Sequence, residues 1–472
     1  MGYVSGSSRN QSVLFPISLD ELIPDEHPCR VIEAFVNWLD LSAQGFSKSR
    51  PKATGRPPYD PADLLKLYLY GYLNRVRSSR RLERECQRNV EVMWLLNRLA
   101  PDHKTIAEFR RQNGQALRRS GAAFVGFCRS VGLVQGEWVA IDGSKFQAVA
   151  SGKAVRGHDQ LLRQQAQLEQ KMAEYLAMLD AADTDEVEPD LDTEAVRAAL
   201  NLLRQEHAGV QASLQILVAE GKSQLTTTEP EARVMKGHGP AYNVQTAVDA
   251  EHGLIIAHAV TDEATDNRQL QPMAEAASAA LTQETLNVVA DAGYSNGEQA
   301  AILEQKGILP HVPANRAVNT QGDGTLFDRT AFTYDDDNDT LACPAGRTMT
   351  RKQLMRRKQL VIYTAQAQDC SKCPLKSRCT IKQVRLVSRH LHEAALQRMD
   401  SRATPALMRL RRSTVEYPFG ILKYQVLEKP RLLLRGLWGA GTEMALAVLA
   451  YNMKRAMAAL GSGEMASRLV LT

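Results

Sequence analysis

Trp138-Val139-Ala140-Ile141-Asp142-Gly143-Ser144-Lys145-Phe146 is the stretch whose reading decides the fold. Val139, Ala140 and Ile141 are apolar and partly β-branched, the composition of a buried strand. Asp142 stands where that strand is expected to end, and Gly143 is expected to let the chain turn. A carboxylate at the edge of a core is costly unless it meets solvent, a partner or a metal. Taken alone, Asp142 reads as a turn or capping aspartate.

The pattern recurs. Asn287-Val288-Val289-Ala290-Asp291-Ala292-Gly293-Tyr294 is a second apolar strand that runs into an aspartate and a glycine turn. Adjacent parallel strands would bring Asp142 and Asp291 together at one sheet edge. A third acid, Glu416, lies in Arg412-Ser413-Thr414-Val415-Glu416-Tyr417-Pro418-Phe419-Gly420-Ile421-Leu422-Lys423. Two strand-end aspartates and a helical glutamate can hold a pair of divalent cations, the hard oxygen-ligand site of phosphoryl transfer.

These three stretches resemble the DDE motifs of bacterial insertion-sequence transposases. Arg412 stands four residues before Glu416 and Lys423 seven after it, so on a helix both lie within about 40° of the acid. The family's usual tyrosine three residues before that arginine is absent, and Arg409 stands in its place. Pro418 is expected to break or kink the helix just after the acid. The resemblance implies an α/β fold with a ribonuclease-H-like catalytic domain. It implies two Mg²⁺ (or Mn²⁺) ions held by Asp142, Asp291 and Glu416, with Arg412 and Lys423 at phosphates. The implied activity is binding of the element's ends, DNA strand cleavage and strand transfer, on double-stranded transposon-end and target DNA, as a homodimer. A metal-dependent nuclease without strand transfer, or a non-catalytic DNA-binding protein on the same scaffold, are the alternatives.

The composition fits a nucleic-acid partner. The chain has 472 residues, is 44% hydrophobic and carries a net charge of +5. The basic residues cluster in Arg75-Val76-Arg77-Ser78-Ser79-Arg80-Arg81, in Arg351-Lys352 with Arg356-Arg357-Lys358, and in Arg409 with Arg411-Arg412. One such run is usually just a solvated face, but several in one chain beside these acids favour a nucleic-acid partner. No long apolar stretch is free of charges, so no membrane span is expected. No signal-peptide pattern opens the chain, and an odd cysteine count points to a reducing bacterial cytoplasm.

Working outward, residues 1–56 are expected to be an arm and linker with a short helix near Val31 to Leu39. Residues 57–135 are expected to be all helical. There Asp60-Pro61 starts a helix that is apolar around most of its surface, so it belongs in a core. Tyr68-Leu69-Tyr70-Gly71-Tyr72-Leu73-Asn74 and Ser78-Ser79-Arg80-Arg81-Leu82-Glu83 resemble the N-terminal domain of the same transposases, which places Arg80 and Arg81 at DNA. The catalytic core is expected in three pieces, 136–156, 226–316 and 401–460. Between the first two, residues 157–225 read as an antiparallel coiled-coil hairpin, with Val196, Leu200, Leu203, His207, Val210, Leu214 and Leu217 as one seam and Asp183 to Asp190 as its turn. Residues 461–472 are expected to be a disordered tail.

Residues 317–400 hold Cys343, Cys370, Cys373 and Cys379. The two-residue gap in Cys370-Ser371-Lys372-Cys373 lets both thiolates reach one tetrahedral metal. The outer spacings are looser than a zinc ribbon's. A structural Zn²⁺ and a set of reduced thiols without metal both remain open. Cys29, Cys86 and Cys128 fall in helical contexts and read as core residues.

Overall fold

The computed structural model describes residues 18–50, 57–184, 192–315, 326–356 and 359–471, with the side chains of 182–184 left aside. The expected arm before residue 18, the linker at 51–56 and most of the hairpin turn fall outside them.

The chain opens with helices α1 (Pro28–Trp38), α2 (Leu41–Gln44), α3 (Pro61–Leu73), α4 (Ser79–Arg88), α5 (Val90–Leu95), α6 (His103–Gln112) and α7 (Gly114–Ser130). Asp60 caps α3 by accepting from the Ala62 N–H, and Pro61 occupies the first helical position. Every α3 residue from Leu64 to Leu73 is buried, as expected of a helix that is apolar all round. Residues 28–46 are not an arm. Val31, Ile32, Phe35 and Val36 of α1 are buried, and the Phe35 ring meets Phe124 of α7 edge-on at 5.2 Å. Four apolar residues on one helix face need a core to bury them, and α3 and α7 provide it.

The central sheet has six strands: β1 (Trp138–Gln147), β4 (Arg233–Met235), β5 (Gly239–Asp249), β6 (Ile255–Thr261), β7 (Leu286–Val289) and β8 (Ile308–His311). Their order is β4-β5-β1-β7-β8, with β6 also on β5. β5 is antiparallel to β1 and β6, whereas β7 is parallel to β1 and β8 is parallel to β7. Between β1 and β4 the chain makes β2 (Val155–Gly157), helices α8 (His158–Thr184) and α9 (Thr193–Glu220), and β3 (Gln224–Thr226). β2 pairs with β3 at the foot of these helices. Leu161 and Leu168 pack with Val210, Leu217 and Leu225, and His207 of the seam reaches Glu169 at 3.0 Å.

β1 does not end at Asp142. It runs on to Gln147 with every residue from Val139 paired to β5, including Asp142 with Thr246 and Gly143 with Gln245. Gly143 makes no turn. A Cβ there would stand 2.2 Å from Gln245 Nε2 and 2.6 Å from Asp266 Oδ1, so the glycine leaves room for side chains that cross beneath the strand. What stops near Asp142 is the parallel neighbour, whose pairing with β1 ends at Ala140 with Val289.

Helices α10 (Leu270–Leu281) and α11 (Gly297–Gln305) flank the parallel strands. A second sheet follows, from β9 (Thr333–Asp335), β10 (Thr340–Ala342), β11 (Thr348–Met355), β12 (Leu360–Thr364) and β13 (Leu386–His390), in the order β13-β12-β11-β10-β9. Its short helices are α12 (Ala367–Ser371) and α13 (Lys376–Cys379). It has a small core of its own, built on Phe332, Leu341, Met349, Val361, Tyr363 and Val387.

The chain then returns to the central sheet through α14 (Glu393–Arg402), α15 (Pro405–Ile421), α16 (Gly436–Leu460) and α17 (Ser462–Leu471). Pro418 does not break α15. The helix carries it and then widens into one π turn, Leu422–Val426. The last segment is no disordered tail either. Met465 and Leu469 of α17, one helical turn apart, are buried against the main core. Arg77 joins the helical part to α16 through Glu443, at 2.7 Å.

Candidate active site

β1 and β7 set the site. Ala140 and Val289 are partners in the parallel ladder. Asp142 and Asp291 each follow two residues later, Asp142 still within β1 and Asp291 just past the end of β7, so they stand at equivalent positions beyond the last parallel pair. Asp142 Oδ1 accepts from the Gly143 N–H at 2.9 Å. Asp291 caps the turn after β7, its Oδ1 accepting from the Gly293 N–H at 2.7 Å. Asp142 is only 19% exposed, and Arg411 Nη2 lies 2.6 Å from its Oδ1 and 3.2 Å from Asp291 Oδ2. Burial pushes the Asp142 carboxyl up to about 6, against the pull of Arg411.

A polar network holds the other face of the sheet. Asn243 Nδ2 and Gln245 Nε2 each donate to Asp266 Oδ1 at 2.7 Å, and Lys145 Nζ lies 3.4 Å from the same oxygen. The buried Tyr294 hydroxyl donates to Gln245 Oε1. Tyr294 belongs to the turn that Asp291 caps, so this chain of bonds ties the Asp291 turn to β5.

Helix α15 lies over the Asp142 face. Its buried stripe is Val415, Pro418, Phe419 and Leu422, and Arg411 falls on that stripe. Glu416 is about 140° away around the helix. It is exposed and has no ion pair among the described residues. Arg412 is exposed on the same flank. Lys423, in the π turn, donates to Ser144 Oγ at 2.6 Å and stands 5.4 Å from the Phe146 ring. Burial draws the Lys423 ammonium down, with Asp142 opposing. The structure therefore draws Asp142, Asp291 and Lys423 to one region, with Glu416 and Arg412 on the flank beside it.

Sequence reasoning missed Arg411. The signal was available, because an arginine four, seven and eleven residues before Val415, Pro418 and Leu422 shares their face. A cation on an apolar stripe must meet carboxylates there. It also missed Asp266, Gln245 and Tyr294, whose partners are distant in sequence.

Arg80 and Arg81 are exposed at the start of α4, and Arg84 and Arg88 are exposed further along it. This basic block abuts the end of α15. Arg75 Nε donates to the Gln425 carbonyl at 3.0 Å, and Arg81 is 3.8 Å from Glu428.

The four clustered cysteines are free thiols and line one cavity of about 30 Å³ with Arg347, Asp369 and Arg385. Burial pushes the Cys379 thiol up, while Arg385 pulls the other way. Cys29, Cys86 and Cys128 are buried, and burial raises their thiols to about 12, 11 and 12. Among the described residues, one trio of metal-type ligand atoms lies within 4.8 Å: His27, Cys29 and Glu91. In that trio His27 Nδ1 already accepts the Cys29 N–H. No trio of the four clustered thiols is that close, so a tetrahedral zinc, with sulfurs roughly 3.8 Å apart, would draw them inward.

No helix among the described residues is long and apolar enough to cross a membrane. A family model described as a transposase domain (DUF772) matches residues 17–112, and one described as a transposase DDE domain matches residues 342–457. The second covers Arg412, Glu416, Lys423 and the four cysteines but not Asp142 or Asp291. No curated protein matches the chain. Among solved structures, a cryo-EM structure of the piggyBac transposase synaptic complex with hairpin DNA is similar over 94% of this chain and 79% of that one, at 10% identity. Its TM-score of 0.32 is too low to carry any argument. Two transposase family models thus match separate parts of the chain, one on the N-terminal helices and one reaching across α15 into α16, and both support a DDE transposase.

Proposed function

We propose that this chain binds the ends of a bacterial insertion sequence and cuts and joins DNA there by metal-dependent phosphoryl transfer. The observation that carries this is the pair Asp142 and Asp291, at equivalent positions beyond the last parallel pair of β1 and β7, with one cationic nitrogen set between their oxygens. That nitrogen stands in for a cation, so the donor set fits a hard divalent ion such as Mg²⁺ or Mn²⁺. The strand order, with an antiparallel β1-β5-β6 set and parallel β7 and β8 on the other side of β1, supports a ribonuclease-H-like reading of the core.

In this reading Asp142, Asp291 and Glu416 would hold the ions, with Glu416 reaching in from the flank of α15. When bound, the ions supply an activated nucleophile and charge neutralisation at the leaving oxygen. The protein's own groups do the rest. Ser144 and Phe146 hold Lys423 beside Asp142, where its ammonium meets a phosphate near the scissile bond. Arg412 extends the same flank. Arg80 and Arg81 grip the duplex backbone from α4, and two chains pair to hold two ends. The four cysteines would hold a structural Zn²⁺, which would stiffen the second sheet.

The test uses purified chain, Mg²⁺, and DNA bearing the inverted repeats that flank the gene. Cleavage and strand transfer are expected from the wild type. Asp142→Asn, Asp291→Asn and Glu416→Gln are each expected to lower cleavage more than about a hundredfold, beyond the loss of an outer-shell partner, while end binding persists. Cleavage without joining would leave a nuclease. Full cleavage by Glu416→Gln would remove that residue from the site.

A further inference from the structure

Arg411 is placed unlike the other basic residues of α15. Arg409 and Arg412 are exposed, whereas Arg411 is 13% exposed and points into the sheet. Its Nη2 serves Asp142 Oδ1 at 2.6 Å and Asp291 Oδ2 at 3.2 Å at once. Its Nε is buried with no hydrogen-bond partner. The guanidinium is therefore held by its tip alone, through the two carboxylates.

We propose that Arg411 is a displaceable internal cation: it fills the space between Asp142 and Asp291 until a divalent ion takes it, and a DNA phosphate is the partner it leaves for. This rests on the reading of the two aspartates as metal ligands. A guanidinium stays charged at any working pH. One nitrogen and a dication cannot occupy the same gap between two carboxylates without strong repulsion. Arg411 also cannot simply let go, because a partly buried charge that loses its partners is costly. Asp266 offers no refuge. It binds Asn243 and Gln245, whose strand positions alternate with that of Thr246, the partner of Asp142, so it lies under the opposite face. A phosphate is suited to receive the freed fork, since its oxygens accept two parallel N–H bonds. Metal uptake and DNA binding then favour each other, and the coupling is the same in either direction.

The experiment measures Mn²⁺ affinity of the full chain, by the spin signal of free Mn²⁺, with and without a short duplex DNA. Arg411→Met keeps the length and bulk of the side chain and removes its charge. Arg411→Gln is the second variant, and circular dichroism checks that both are folded. Without DNA, the charge-free variants are expected to bind Mn²⁺ about tenfold more tightly than wild type. Adding duplex is expected to tighten Mn²⁺ binding in the wild type and to do little in the variants. Equal or weaker Mn²⁺ binding by the folded variants without DNA overturns the proposal. So does a wild type whose Mn²⁺ affinity ignores DNA. Asp142→Asn and Asp291→Asn separate the two levels. If they bind Mn²⁺ as the wild type does, the metal reading of the aspartates itself has failed.

Discussion

In the six-stranded sheet, Asp142 lies on, and Asp291 just beyond, strands whose Val139, Ala140, Ile141, Val288 and Val289 are fully buried in a core that reaches from α1 to α17. In the five-stranded sheet, the thiols of Cys343, Cys370, Cys373 and Cys379 sit beside a handful of buried side chains, with Met349 and Tyr363 at the centre. Both sheets gather metal-type donors. In the first, buried strands and Arg411 fix where the donors stand, and an ion would add chemistry. In the second, the apolar area is small for the length of chain it must order, and an ion would add stability. In the proposed reading a hard oxygen site and a soft thiolate site would thus serve opposite ends in one molecule.

The sharpest way to break that contrast is to remove the thiols. Protein purified without chelator is expected to carry about one zinc per chain, as a single four-thiolate site would. Cys370→Ser/Cys373→Ser is expected to lose it, and amides of β11 and β12 are then expected to exchange with solvent freely while those of β1 and β5 stay protected. Zinc content near zero, or protection unchanged in the double variant, would put both sheets on the same footing. A smaller effect tests how far the large core extends. Met465 of α17 is fully buried, so Met465→Ala is expected to cost about 2–5 kcal/mol in urea melts. A cost below about 0.5 kcal/mol would mean that α17 only rests on the surface.

The carboxylate pair offers a finer test. Burial raises the Asp142 carboxyl to about 6 in the folded chain, against an ordinary 3.8. The folded state therefore holds that proton more tightly. The associated stability is fully present below about pH 4 and is lost as pH rises through about 6. Asp142→Asn, which never ionises, is expected to gain on the wild type between about pH 4 and 7, by roughly 1–3 kcal/mol in metal-free buffer. A stability difference that stays flat over that window would mean Asp142 is better solvated than its burial implies. The smallest effect belongs to the exposed flank. Glu416→Gln is expected to move stability by less than about 0.5 kcal/mol, so its loss of cleavage could not be ascribed to unfolding.

Much of this architecture is written in local patterns. The apolar run before Asp142 and the all-round apolar helix after Asp60 need no distant partner to be recognised, because period and composition are properties of the segment itself. The transposase resemblance likewise rested on wording around Glu416 that one helix face can carry. The failures share a cause. Asp142-Gly143 looks like a strand end because aspartate and glycine usually mark one. Here β5 continues the ladder, and the glycine answers to Gln245 and Asp266, residues about a hundred positions away. α17 looks like a frayed end because Met465 and Leu469 are few, and α1 supplies the surface that makes them enough. Arg411 hides beside Arg412 because a basic run reads as one solvated patch, while the helix turns its members to different surroundings.

Glu443 is wholly buried, and besides Arg77 it takes the N–H groups of Leu433 and Leu434. That makes it a rivet between the part of the molecule that would grip DNA and the part that would cut it. Prising the two apart would strand a carboxylate in the interior, at a penalty of several kcal/mol. α4 and the aspartate pair are therefore two marks on one rigid gauge. Cutting should fall at a constant number of base pairs from the gripped sequence, and inserting base pairs between them should move the cut with the grip instead of stretching the protein to follow.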